Sequence, residues 1–219
     1  MKKTIKTIIK AAVGVVAAGA IVASGVMANE IFGNPISKHI AEKNAVEYVE
    51  ENYPELKFEV TDTIYDFKSV RYHTTIQLTE GEKTEFTVSC HKDGEYSHDD
   101  YNWVALERFG NAATEEIKPA LIEEFGEKSE PEIRIADFLK LTETKSVAVD
   151  QDIDLDNFPF ELEIDINVFT DEENRDEVVA DAIRRMDSAV DDRFTIGNYI
   201  IDIYNADGTE LLDYVTIPA

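Results

Sequence analysis

Hydrophobic and polar residues change their spacing several times along this chain, and each change predicts an element. Residues 11–28, AAVGVVAAGAIVASGVMA, have no polar alternation at all. At roughly 1.5 Å per residue they make about 27 Å of helix, the thickness of a bilayer core, and Ile8, Ile9, Ile31 and Phe32 can lengthen it. Gly33, Asn34 and Pro35 then turn the chain, Ser37 is the expected N-cap, and a helical period follows to about Asn52. Ala41, Ala45, Tyr48 and Val49 form its apolar stripe, with Glu42, Lys43, Glu47, Glu50 and Glu51 on the other faces, and Pro54 ends it.

Next the period falls to two. Leu56, Phe58, Val60 and Ile64, then Val70, Tyr72, Ile76 and Leu78, then Phe86, Val88 and Cys90 alternate with polar neighbours. Asp66 to Ser69, Glu80 with Gly81, and Asp93 with Gly94 supply the turns, so the spacing predicts an antiparallel three-stranded meander with the first helix across one face. Asp99 or Asp100 can cap a second helix carrying Trp103, Leu106 and Phe109, then Ile117, Leu121 and Phe125, with a kink or break expected at Gly110 and Pro119.

The turn-rich EKSEP at 127–131 reads as a seam. Beyond it the pattern predicts an extended segment near 133–149, a strand over 160–168, a helix over 171–190 and two closing strands about the Asp207, Gly208 turn. The fold class is α+β. The expected organisation is a signal-anchor or signal peptide over 1–32, a first α+β domain over 33–128 and a second over 129–219.

Charge supplies an address. Lys2, Lys3, Lys6 and Lys10 precede the apolar run and no basic residue follows until Lys38, which by the positive-inside rule exports everything beyond the run. The expected place is the cell membrane, single-pass through residues 8–32 with the C-terminal part outside the cytoplasm. Cleavage after Ala28 would make it a secreted protein instead. The part beyond Ala28 holds 17 basic against 46 acidic residues, a formal charge of −29. Nucleic acid is excluded as a partner, because phosphate binding needs a basic footprint. A single cysteine, Cys90, allows no intrachain disulfide.

The apolar N-terminus, the Gly33-Asn34-Pro35 turn, the helix closing on Tyr53-Pro54, the meander and the helix after Asp99, Asp100 and Tyr101 together resemble the YfjL-like membrane-anchored exported proteins of Gram-positive bacteria. Gly33, Asn34, Pro35, Tyr48, Tyr53, Pro54, Asp99, Asp100 and Tyr101 are the matching positions. The resemblance implies a YfjL-like N-terminal domain followed by a YfjL-like C-terminal one. It brings no activity, cofactor or catalytic residue.

Candidate chemistry reads against catalysis. Cys90 and His91 are adjacent, but neighbours on a strand point to opposite faces, so Cys90 goes inward as a structural thiol and no dyad forms. His39, His73, His91 and His98 lack the paired spacing of a zinc site, although His73, His91 and His98 could meet on the outer face of the meander. In the acidic run 150–163, Asp152, Asp154, Asp156 and Glu163 fall at positions 1, 3, 5 and 12 of a calcium loop. Pro159 and the absence of flanking helices spoil that register, and starting from Asp150 with Glu161 last puts Leu155 where glycine is needed. A solvated acidic loop is the expectation, and calcium stays open. Nucleotide, hydrolase and zinc-protease motifs are absent. The reading is an exported binding or interaction module, not an enzyme, with no cofactor. Alternatives are an exported hydrolase using carboxylates or a divalent metal, or an envelope-assembly or inhibitory protein acting on a membrane partner.

Overall fold

The computed structural model describes residues 33–81, 83–144 and 147–219. The expected membrane segment, residues 8–32, lies outside the described residues, among which no helix is long and apolar enough to cross a membrane. The described residues form two compact units, which divide between Asp100 and Tyr101. The division falls ahead of the EKSEP seam, because the helix after Asp100 packs within the second unit.

In the first unit, helix α1 (Pro35–Asn52) lies on a four-stranded antiparallel sheet of β1 (Phe58–Asp66), β2 (Arg71–Leu78), β3 (Glu85–His91) and β4 (Tyr96–Asp99), in that order. The helix starts earlier than expected. Asn34, not Ser37, is the N-cap: its Oδ1 accepts from the Ser37 amide at 2.8 Å, and Pro35 takes the first helical position, where a missing N–H costs nothing. Ala41, Ala45 and Val49 bury the predicted stripe against Tyr72, Ile76, Leu78, Phe86, Val88 and Cys90, the inward positions of β2 and β3. A bulge between Val60 and Asp62 shifts the alternation of β1. Thr63 is therefore buried against Thr74, and Ile64, expected inside, is exposed. The meander also gains a strand: β4 pairs with β3, so Asp99 belongs to the sheet and does not cap a helix.

The second unit begins with α2 (Tyr101–Phe125), which runs without the expected break through Gly110 and Pro119. Leu106, Phe109, Ala113, Ile117 and Leu121 on one face are almost wholly buried, and that packing offsets the roughly 3 kcal/mol a proline costs inside a helix. Its sheet has the order β5 (Glu132–Ile135), β6 (Glu161–Phe169), β7 (Thr195–Tyr204), β8 (Leu211–Pro218). The expected extended segment is only the short β5, followed by a turn and helix α3 (Phe138–Thr142). Strands β6 and β7 are parallel and are joined through α4 (Arg175–Ala189); the other pairings are antiparallel. Leu162, Ile164, Ile166, Tyr199, Ile201 and Ile203 form a core with the inner faces of α2 and α4.

Candidate functional site

The positions that carry the family resemblance hold the fold together. Gly33 has φ +66, and a Cβ there would stand 2.5 Å from the Tyr72 hydroxyl, so only glycine fits. Tyr72 Oη accepts from the Asn34 amide at 2.8 Å and lies 3.1 Å from the Asn34 carbonyl, pinning the start of α1 to β2. At the far end, Asp99 accepts hydrogen bonds from Tyr48 (2.6 Å), Tyr96 (2.8 Å) and Tyr53 (3.4 Å). The Tyr48 and Tyr96 rings stack at 4.0 Å. Burial, reinforced by the Asp99 carboxylate, pushes the Tyr48 phenol well above its ordinary pKa. Asp100 accepts from the Thr87 amide, and in the second unit the Tyr101 hydroxyl accepts from the Val149 amide at 3.1 Å.

On the outer face of the first sheet, register puts Ile64, His73, Ser89 and His98 side by side across all four strands. These residues, with Thr75, Thr87 and Asp100, line a hollow of about 290 Å³. Ser89 Oγ is 2.8 Å from His73 Nδ1, while His73 Nε2 faces Ser69 Oγ at 3.4 Å and Asp66 Oδ2 at 3.9 Å. Asp66 sits in a tight turn where the Ser69 hydroxyl holds its carboxyl below the usual range, next to Val70 at φ +56, a backbone rare for a β-branched residue. Burial, then Arg71 and His73, lowers the His98 pKa. His91 lines a different hollow, with Lys92 and Asp93, and His39 is exposed on α1, so the three outer-face histidines do not all meet. Cys90 is buried among the inward residues and its thiol is pushed up by burial, while His91 is on the opposite face, as strand geometry requires.

Three carboxylates of the acidic run, Asp154, Asp156 and Glu163, have partners of their own. Asp154 caps the 3₁₀ turn Leu155–Asn157, accepting from the Asp156 amide at 3.0 Å and from Asn157 Nδ2 at 2.8 Å. Asp156 pairs with Arg193 at 3.0 Å, and Glu163 stands on β6 beside Arg134 at 3.8 Å. Among the described residues no group of three or more His, Cys, Asp or Glu side chains is placed to hold a metal ion.

The largest of these features came from residues the pattern alone did not join. A groove of about 740 Å³ runs between α2, β5 and α3, lined by Trp103, Glu107 and Gly110 on the helix, Ile135 on the strand, and Phe138 and Leu139. Trp103 is 46 % exposed and Leu139 72 % exposed, and the Trp103 and Phe138 rings meet edge to face at 4.7 Å. The one sequence signal was Trp103, which begins the apolar face of α2 yet leaves it at the edge of the core.

Residues 3–100 match the family model of the YfjL-like, N-terminal domain, a span that ends where the first compact unit ends. No curated protein and no solved structure matches the chain.

Proposed function

With residues 3–100 a YfjL-like N-terminal domain, we propose that this chain is an exported interaction module, tethered at the membrane by residues 8–32 and acting by binding, not by catalysis. The observation that carries the reading is the groove: an exposed Trp103 and Leu139 form an apolar patch on a surface otherwise dense with carboxylates. The lysines ahead of the apolar run support export. A C-terminal tag should therefore be digested by protease added to intact cells stripped of wall. Protection until the membrane is ruptured would end the proposal of export.

One arrangement favours a hydrolase instead. With its proton on Nε2 facing Asp66, His73 could accept the Ser89 proton at Nδ1 as Ser89 Oγ attacked an acyl or phosphonyl centre, and pass it to the leaving group whose bond to that centre breaks. Against it, Ser89 is 2 % exposed in the middle of a strand. Treating the full chain with a fluorophosphonate is expected to leave Ser89 unmodified. An adduct abolished by Ser89→Ala would replace the interaction reading with the hydrolase.

A further inference from the structure

We infer that the groove beside Trp103 receives a basic segment of a partner protein, with a large apolar side chain on its floor and lysine or arginine against Trp103 and the acidic rim; this rests on the interaction reading above. The floor is apolar and open. Ile133 and Ile135 of β5 and the Phe138 ring form it, and at Gly110 a Cβ would find its nearest neighbour, Ile135 Cγ1, only at 3.9 Å. Gly110 lacks the positive φ that would demand glycine, and glycine inside a helix is unfavourable, so what its missing side chain supplies is room.

The rim selects charge. Trp103, Glu107 and Gly110 follow one another along one face of α2, which sets a carboxylate one turn from an exposed indole. An indole face beside an anion suits a cation. The two basic groups of the rim are already matched. Arg134 bonds Glu132 and lies 3.8 Å from Glu163 and 3.9 Å from Asp165, and Lys140 is 3.8 Å from Asp137. Glu107 has no ion pair among the described residues. The groove therefore presents grease with a surplus of negative charge, on a chain whose formal charge is −25. A second copy, a nucleic acid or an anionic bilayer would bring like charge; a basic segment with an apolar anchor satisfies both rim and floor.

Trp103 is the chain's single tryptophan, so its emission reports this groove alone. The full chain, held in nanodiscs of zwitterionic lipid, is titrated with a short peptide of leucines flanked by lysines. Parallel titrations use the same peptide with glutamate or serine in place of lysine. The lysine peptide should shift Trp103 emission and bind at least about tenfold tighter than either counterpart, an advantage that salt erodes. Gly110→Met fills the groove with a better helix former, and should weaken binding by roughly tenfold without lowering the melting temperature. Glu107→Gln should weaken the lysine peptide only. Equal binding of the serine peptide, or full binding to Gly110→Met, overturns the inference while leaving the interaction module standing. A Ser89 fluorophosphonate adduct removes the module without touching these titrations.

Discussion

Replacing Phe109 by alanine is expected to weaken the second unit by about 3–5 kcal/mol, read from denaturant unfolding followed by Trp103 emission. Phe109 is 1 % exposed, with its ring 5.5 Å from Phe160 and 6.1 Å from Phe158, and Phe158 in turn meets Phe194 at 5.4 Å. Because each ring is held by the others, none can swing into the space that alanine would leave, so the cavity cost adds to the lost burial. A domain of this size holds about 5–15 kcal/mol in all, so the loss is a large share. Trp103 sits on the same helix and should report the shift directly. Phe109→Leu, which keeps most of the buried area, should recover more than half of it. A change under about 1 kcal/mol for alanine would mean that this aromatic cluster is not part of the cooperative core.

The elements with a clean period were legible, and the departures have local causes. The stripe of α1 and the inward faces of β2 and β3 follow from spacing alone, since helix and strand each present one apolar face. The β1 bulge carries no composition signal, so Ile64 moved to the outer face unannounced. Strand β4 was hidden because its buried-side group is a carboxylate, Asp99, satisfied by phenols and not by grease. The EKSEP stretch looks like a linker but is a 3₁₀ turn inside the second unit, with Ser129 fully buried. The division at Asp100 has no linker composition because β4 runs straight into α2.

Sites were less legible than elements. Chemistry that depends on one strand could be judged early: Cys90 and His91 had to part company. Chemistry that depends on register could not. His73 and Ser89 meet only because β2 and β3 pair as they do, and Trp103 meets Phe138 only because β5 turns back along α2 before Asp137 takes a left-handed backbone at φ +53. The sequence could show that Pro159 spoils the calcium-loop register, but not that Asp156 lies 3.0 Å from Arg193, far along the chain.

The first unit should prove most sensitive at Asp99. Asp99→Ala removes the charged acceptor shared by Tyr48, Tyr96 and Tyr53, and with it three charge-assisted hydrogen bonds, and is expected to cost about 2–3 kcal/mol. Asp99→Asn, which keeps an acceptor and loses the charge, should cost less. Cys90, the single thiol and fully buried, reports this unit through its labelling rate at rising denaturant. The same cluster sets a pH dependence. The Tyr48 and Tyr96 phenols are both raised above the ordinary value of a phenol, by burial first and then by bonding to Asp99 in Tyr48. A raised folded-state pKa means that the native unit holds these protons more tightly than the unfolded chain. Their contribution is therefore fully present below about pH 10 and is lost as pH rises toward the folded-state values. Stability read through Cys90 should show no fall from these phenols between neutrality and pH 10 and should drop above it, where an unfolded thiol is already ionised and its reactivity no longer changes with pH. In Asp99→Ala the drop should be shallower, since burial still opposes phenolate but the neighbouring anion is gone. An equally steep drop would assign the alkaline loss to burial alone and deny Asp99 its part in it.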